Sequence, residues 1–238
     1  MLAHAPLRLL GLIGGISWES TTHYYQMLNR IARERLGGVH SARLVLWSVD
    51  FEPVAQLQEE GAWGALADMM VDAAGRLERV GAEALVICAN TMHMMADEVA
   101  ASIHIPLIHI ADVTATALKS RNVERPVLLA TRFTMEQPFY RDRLIRHGLE
   151  PIVPNDADRD ELHRIILEEL VRGQFLDESR AKLADIVERE RRRGADGVIL
   201  GCTEFGMLAP PDTFALPAVD TAEAHAEAAM AFAMGGRR

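Results

Sequence analysis

The chain has 238 residues, 49% hydrophobic and 25% charged, a composition typical of a soluble globular protein with one large domain or two small ones. Its formal net charge is −9, and no long basic run is present, so nucleic acid and anionic membrane surfaces are not expected as main partners. No apolar run reaches the roughly 18–20 residues of a membrane span. The apolar N-terminal stretch is interpreted as a first strand rather than a signal sequence, and we expect a cytoplasmic protein.

Short apolar runs alternate with longer amphipathic segments along the chain. The first half predicts strands at 7–15, 42–50, 83–90 and 106–110 and helices at 17–37, 63–81 and 92–103. The second half predicts helices at 112–120, 133–148, 160–171 and 177–194 and strands at 126–131, 149–154 and 197–202, followed by a strand remnant and an alanine-rich helix. Such alternation is typical of parallel sheets with helices on both faces.

The predicted fold class is α/β, with two pseudo-symmetric domains whose parallel sheets are flanked by helices. The alternation restarts near Ile110–Asp112, so we expect a first domain of 1–111 plus 212–238 and a second of 112–211. The segments GAEALVICANTMH and GADGVILGCTEFG echo each other, each ending a strand in a polar turn. Ligands of open α/β sheets bind beyond the carboxyl ends of strands, which predicts an active site in the cleft between the domains.

Two thiols and a glycine-rich turn are the first candidates for chemistry. The turn GLIGGIS lacks the spacing of a nucleotide motif and is either a tight strand-to-helix turn or an anion site at a helix N-terminus. Cys88, in CANT, is interpreted as a buried small hydrophobe, followed by an Asn–Thr helix cap. Cys202, in GCTE, directly follows a strand and is better placed to react.

Other polar residues have structural interpretations. The cysteines lack CxxC spacing and no close histidine pair is present, so we expect no metal. His93 is expected to hydrogen-bond backbone or a carboxylate. Asp220 and His225 are expected to form a capping and packing pair.

The motifs together resemble the aspartate/glutamate racemase family, and bacterial broad-specificity members in particular. The resemblance runs from about Leu9 to Phe232 and rests on five segments in the same order: GLIGGISWEST, SVDF, GAEALVICANTMH, ATRFTMEQPFYRDRL and GADGVILGCTEFG. It implies a homodimeric racemase that needs neither PLP nor another cofactor. Two acid/base residues would flank the substrate Cα, one removing the proton and the other returning one on the opposite face.

The resemblance also implies roles for individual residues. Cys202 would be the second acid/base residue, with Thr203 and Glu204 binding the α-carboxylate and the α-ammonium. Asn90 and Thr91 would also hold the α-carboxylate, whose developing negative charge they would stabilise. Further substrate contacts are expected from Ile16, Ser17 and Gln58.

Two positions depart from the family pattern. The first acid/base position holds Ala89, which has no exchangeable proton, and Cys88 lies one residue earlier. A shift of one residue along a strand turns a side chain to the other face, so Cys88 is expected in the core. At the position of Glu161, related members have a lysine that pairs with the substrate's distal carboxylate. Glu161 therefore points to a substrate with a neutral or cationic side chain, unless Arg164 or Arg43 supplies the missing cation.

Three hypotheses follow. The leading one is a racemase or epimerase of aspartate, glutamate or a related amino acid, with Cys202 as acid/base and a water, Thr91 or a displaced Cys88 serving the other face. The second is a one-cysteine relative resembling arylmalonate decarboxylase, which protonates one face only. The third is an amino-acid binding protein without turnover, against which the sequence Cys202–Thr203–Glu204 argues.

Overall fold

The computed structural model describes residues 6–235. The chain forms two compact units. The first unit holds the chain up to Cys88, Met95–Ile108 and the chain from Ala226, and the second holds Ala89–Met94 and His109–His225. Each unit has a three-stranded parallel sheet accompanied by helices, which confirms the predicted α/β class.

The sheet of the first unit has the order β2-β1-β3, with all strands parallel. Its strands are β1 (Leu10–Gly14), β2 (Leu44–Ser48) and β3 (Ala84–Ile87), and its helices are α1 (Trp18–Leu36), α2 (Phe51–Glu59), α3 (Trp63–Arg79) and α4 (Ala96–Ser102). Strands β1 and β3 are buried along their whole length, as expected for strands of a parallel sheet covered on both faces.

The turn after β1 requires glycine. Gly15 has φ of +87°, and a Cβ on it would lie 2.1 Å from the carbonyl oxygen of Val49. Only a residue without a Cβ tolerates both conditions. Ser17 then caps α1 by accepting the backbone N–H of Ser20 at 3.3 Å.

The sheet of the second unit has the order β4-β5-β6, also parallel. Its strands are β4 (Pro126–Leu129), β5 (Gly197–Leu200) and β6 (Ala218–Asp220). The helices of this part of the chain are α5 (Ile110–Lys119), α6 (Arg132–Glu136), α7 (Pro138–Arg146), α8 (Asp156–Arg164), α9 (Asp177–Arg192), α10 (Phe205–Leu208) and α11 (Thr221–Ala233), with 3₁₀ turns at Thr91–Met95, Leu170–Arg172 and Pro211–Thr213 and a π-helical turn at Ile165–Glu169. All residues of β4, β5 and β6 are buried.

Several predicted elements differ in the structure. The strands predicted at 106–110 and 149–154 are reduced to isolated bridges, Leu85 with Leu107 and Val127 with Ile152. The helix predicted at 133–148 is divided into α6 and α7 because Pro138 lacks an N–H and begins a new helix. The helix predicted at 92–103 opens with a 3₁₀ turn, and α2 was not predicted.

The boundaries of the units also differ from the predicted domains. Residues 212–225 lie in the second unit, since β6 pairs with β5 in its sheet. Residues 89–94 belong to the second unit as well. The predicted first domain includes 1–5 and 236–238, which lie outside the described residues. No helix between residues 6 and 235 is long and apolar enough to cross a membrane.

Candidate active site

Cys202 lies just beyond the carboxyl end of β5, in the turn that leads to α10. Its Sγ–H donates to Oε2 of Glu204 at 3.0 Å, and the hydroxyl of Thr203 donates to the same oxygen at 2.6 Å. All three residues are buried, with Cys202 6% exposed. Oε2 of Glu204 therefore accepts two hydrogen bonds, one from the thiol of Cys202 and one from the hydroxyl of Thr203.

Burial and the Glu204 carboxylate raise the pKa of the Cys202 thiol well above its usual range. Burial is the larger cause, because a thiolate loses the stabilisation of water there. The backbone N–H groups of Glu204 and Phe205 act in the opposite direction but do not cancel it. Cys202 is therefore a thiol at neutral pH and is placed to give a proton.

Asp220 is a second carboxyl group in this part of the unit. Its Oδ1 accepts the N–H groups of Ala222 and Glu223 at 2.8 and 3.2 Å, and so caps α11. A Cβ on Gly206 would lie 1.7 Å from Oδ2, so only glycine fits at that position of α10. Burial raises the pKa of Asp220 to about 6. The predicted capping role of Asp220 is thus present in the structure.

The loop after β3 is tied to the end of β5 by a hydroxyl. Nδ2 of Asn90 donates to Oγ1 of Thr221 at 3.0 Å, and the same Oγ1 donates to the carbonyl of Leu200 at 2.8 Å. Leu200 is the last residue of β5. Asn90 is therefore connected, through one side chain, to the strand that carries Cys202.

Thr91 belongs to a cluster of three hydroxyl groups. Its Oγ1 lies 2.8 Å from Oγ1 of Thr131 and 3.1 Å from Oγ1 of Thr134, and these two are 3.1 Å apart. Thr131 follows β4 and caps α6. Since each hydroxyl can rotate to donate or accept, the cluster can direct O–H donors toward an anion.

The carbonyl of Ala89 is held by His93. Nδ1 of the ring lies 2.8 Å from this oxygen, and Nε2 accepts the N–H of Ile110 at 3.2 Å. The backbone donor fixes Nε2 as the unprotonated nitrogen, so Nδ1 carries the proton and donates it to the carbonyl. Burial, with the nearby rings of His109 and His225, lowers the pKa of His93 well below its usual value, and the ring is neutral.

Cys88 belongs to the first unit, where it is fully buried. Its N–H donates to the carbonyl of Ile13, and its own carbonyl accepts the hydroxyl of Ser20 at 3.4 Å. Burial raises the pKa of its thiol, which keeps the group protonated. The structure places Cys88 in the core, where the register argument from the sequence put it.

Three further predicted residues, Ile16, Ser17 and Gln58, also lie in the first unit and are buried. Ile16 and Ser17 form the turn between β1 and α1, and Gln58 lies near the end of α2. The Ser17 hydroxyl is used as a helix cap. Their roles as substrate contacts stay predictions.

Glu161 does not stand alone on α8. Its carboxylate receives two hydrogen bonds from Arg164, at 2.9 and 3.0 Å, and one from Lys182 at 2.8 Å. The bonds from Arg164, followed by those from Lys182, lower the pKa of Glu161 to about 2. Arg164 is shared further with Glu168 and Glu169. The two cations nearest to Glu161 are thus neutralised by carboxylates of the chain itself.

Arg43 cannot serve as the substitute cation considered from the sequence. It precedes β2, and its Nη1 donates to the carbonyl of Leu7 at 2.6 Å, before β1. Arg43 therefore lies at the amino end of the parallel strands, whereas the polar turns follow their carboxyl ends.

Thr131, Thr134, Thr221 and Asp220 were not predicted as site residues. Thr131, Asp220 and Thr221 share one signal with Asn90 and Cys202, which is a polar residue at the end of an apolar strand or within three residues after it. This signal could have selected them, because carboxyl ends of parallel strands meet at one edge of a sheet. No group of three or more histidine, cysteine or acidic side chains among residues 6–235 is arranged to hold a metal ion.

Comparison with known proteins gives a consistent picture. The sequence profile of the Asp/Glu/hydantoin racemase family matches residues 13–229. The fold is similar to the crystal structure of an Asp/Glu racemase candidate from Yersinia pestis, with 44% identity, a TM-score of 0.88 and coverage of 96% of this chain and 100% of that one. It is also similar to an aspartate racemase homologue from Pyrococcus horikoshii OT3, with 34% identity, a TM-score of 0.83 and coverage of 95% and 99%.

A more distant relative is the broad specificity amino-acid racemase RacX of Bacillus subtilis. It is 22% identical over 152 residues, which cover 64% of this chain and 65% of that protein.

Proposed function

Since the chain belongs to the Asp/Glu/hydantoin racemase family, we propose that it is a cofactor-independent amino-acid racemase or epimerase, an isomerase that exchanges the Cα proton of its substrate. The observation that carries this proposal is the buried Cys202 thiol, hydrogen-bonded to the Glu204 carboxylate at the end of β5. A thiol beside a carboxylate can give a proton, and can take one after the carboxylate has accepted its own.

The proposed reaction begins with transfer of the Sγ proton of Cys202 to Oε2 of Glu204, which leaves a thiolate. The thiolate then removes the proton from Cα, and the electron pair of the C–H bond moves into the α-carboxylate. Protonation of Cα restores the amino acid. On the same face Cys202 returns the proton, and the resulting thiolate takes its own proton back from Oε2 of Glu204. On the face of Ala89 water gives the proton, and the hydroxide that remains takes the proton from Oε2 of Glu204. Only return on the opposite face inverts the configuration.

The proposal assigns the developing negative charge to the hydroxyl cluster. Thr91, with Thr131 and Thr134 behind it, offers O–H donors to the α-carboxylate. Such fixed donors stabilise a carbanion-like intermediate more than the ground state. Before it takes the Cys202 proton, the Glu204 carboxylate would also attract the α-ammonium of the incoming substrate. Ile16, Ser17 and Gln58 would contact the substrate.

Aspartate, glutamate or a related amino acid is the proposed substrate. Glu161 neutralises Arg164 and Lys182, which weakens any pairing of these cations with a distal carboxylate. Small neutral side chains therefore belong in the substrate panel beside the acidic ones.

The experiment is incubation of the protein with single L- and D-amino acids in D₂O, with Cα deuteration followed by NMR and the enantiomer ratio by chiral chromatography. Exchange is expected with at least one amino acid and should be lost in Cys202→Ala. Cys88→Ala is the matched thiol control and should retain it. Absence of exchange with every amino acid would overturn the proposal, and ligand-induced thermal stabilisation without exchange would indicate a binding protein instead.

A second candidate function, decarboxylation, is supported by the contrast between Ala89 and Cys202, the two positions that carry the acid/base residues in the family pattern. Ala89 has no exchangeable proton, whereas Cys202 is held as a thiol. A single proton donor suits a decarboxylase that protonates one face of a substituted malonate. Release of CO₂ from arylmalonates, with one enantiomer formed, would favour this function, and unchanged malonates would count against it.

We also propose that the protein is a homodimer, which the resemblance implies, and that it is cytoplasmic. Light scattering after size-exclusion chromatography would measure its mass, and a monomer at micromolar concentration would contradict this part.

A further inference from the structure

The orientation of the Asn90 side-chain amide follows from its hydrogen bonds. The hydroxyl of Thr221 has one proton, and it donates that proton to the carbonyl of Leu200, which can only accept. Thr221 must therefore accept from Asn90, so the group at 3.0 Å is the Nδ2 amide and not the oxygen. The Oδ1 oxygen is consequently directed away from Thr221.

That oxygen has no hydrogen-bond partner among the described residues. Asn90 is only 5% exposed, and Oδ1 itself is shielded from solvent. Buried acceptors are nearly always satisfied, since leaving one unpaired costs the free energy of its lost hydration. An orphaned buried acceptor in a loop joined to the strand of Cys202 indicates a ligand that brings a donor.

We infer that Asn90 Oδ1 binds the ammonium group of the substrate and so restricts the protein to substrates that carry a protonated amine at Cα. The inference deepens the proposed function and rests on it for the position of the substrate. It differs from the expectation that Asn90 holds the α-carboxylate, because one of the two Nδ2 protons is bound to Thr221 and the atom left without a partner is Oδ1, which accepts hydrogen bonds and cannot donate to a carboxylate.

Asn90 is thus a binding and specificity residue, and Thr221 is a positioning residue that acts through it. Without the Thr221 hydroxyl, the amide could rotate and direct either Oδ1 or Nδ2 toward the substrate. The neutral oxygen of Asn90 adds to the attraction of the Glu204 carboxylate for the same ammonium. A malonate without an amine gives this oxygen nothing to bind, so the inference opposes the decarboxylase alternative.

The test compares amino acids with the same carbon skeletons lacking the α-amine: aspartate with succinate, glutamate with glutarate, alanine with propanoate, and lysine with 6-aminohexanoate. The ratio of the two dissociation constants, measured by titration calorimetry, is the amine selectivity. In Asn90→Leu this ratio should fall at least about tenfold for the pairs that the wild type binds. A contact with the α-carboxylate would instead weaken both members of a pair equally and leave the ratio unchanged, which would overturn the inference.

A matched pair of variants at Thr221 separates orientation from loss of the side chain. Thr221→Ser keeps the hydroxyl and should keep the ratio, whereas Thr221→Val should lower it. Asn90→Asp keeps acceptor oxygens and should retain the amine selectivity. This variant is the one to measure if circular dichroism shows that Asn90→Leu does not fold. Equal ratios in Thr221→Val and Thr221→Ser would contradict the inference, as would a water molecule that occupies the Oδ1 position in a crystal structure with aspartate or alanine bound.

The deuterium-exchange experiment distinguishes the two proposals. Exchange in the wild type with an unchanged ratio in Asn90→Leu would refute the role of Asn90 and leave the racemase proposal standing. Selective binding without exchange would refute turnover and leave the role of Asn90 standing. A wild type that binds amino acids no more tightly than their desamino partners would overturn the inference.

Discussion

The thiol of Cys202 and the carboxylate of Glu204, two residues apart, form a buried hydrogen bond of 3.0 Å between Sγ and Oε2. The thiol form of Cys202 is stabilised, because the burial of the sulfur and the negative charge of Glu204 both oppose its ionisation. In the proposed reaction, Cys202 therefore depends on a neighbour that can accept its proton.

Replacement of Glu204 by glutamine should lower the pKa of Cys202, since a full negative charge is removed from beside the sulfur. The pKa can be read from the ultraviolet absorbance of the thiolate as the pH is raised, in a Cys88→Ala background with one thiol left. Cα exchange should fall in the same variant, because the acceptor of the Sγ proton is lost. An unchanged thiol titration would refute the dependence on Glu204.

A hydroxyl at position 89 should raise the fraction of exchange events that invert the configuration. Ala89→Thr supplies an exchangeable proton where the chain has none, and general acid catalysis of this kind is worth about 10²-fold or more when the geometry is good. Ala89→Val has nearly the same shape without the hydroxyl and controls for crowding at this buried position. The measurement is the rate of enantiomer formation divided by the rate of deuteration, and equal quotients for the two variants would contradict the prediction.

Replacement of Glu161 by glutamine should lower the KM for aspartate and glutamate severalfold. The change removes the carboxylate that pairs with Arg164 and Lys182, so these cations become available to a distal carboxylate. The KM for alanine should not change. Glu178→Gln is the matched control, since Glu178 also pairs with Lys182 but is largely exposed. If every substrate responds alike, the cations do not face the bound side chain.

Replacement of Asp220 by asparagine should change how stability depends on pH. The pKa of Asp220 rises from 3.8 to about 6 on folding, so between these values the folded protein binds more protons than the unfolded chain does. Stability then falls as the pH rises through this window, and the wild type should lose up to about 3 kcal/mol relative to Asp220→Asn. Urea unfolding at a series of pH values measures the difference. The exposed Asp212, replaced in the same way, should not produce it.

Much of the fold could be predicted because its central strands are short, apolar and bounded by turn residues. The strands expected at 106–110 and 149–154 failed for local reasons. The extended chain after Pro106 ends where His109 caps α5, and Ile152 lies between Pro151 and Pro154, which have no N–H for a ladder. Helix α2 gave no periodic signal, since Val54 is its only buried apolar residue.

The place of Cys202 after β5 and the burial of Cys88 could be predicted, because each depends on the residue's own strand. Contacts between residues distant in sequence could not be predicted. Asn90 and Thr221 are 131 residues apart, and only their hydrogen bond shows that the amide of Asn90 presents an acceptor. The threonines that surround Thr91 are distant in the same way.

The link between the start and the end of the first unit has a consequence for biosynthesis. The N–H of Arg8, next to β1, donates to the carbonyl of Ala233 at 2.9 Å, and its guanidinium lies over the ring of Phe232. Because a ribosome releases the chain from its N-terminus, strand β1 emerges long before the helix that it meets. The unit translated first is thus completed last. A nascent chain halted near codon 225 would expose apolar surface of that unit and become a client for chaperones and proteases.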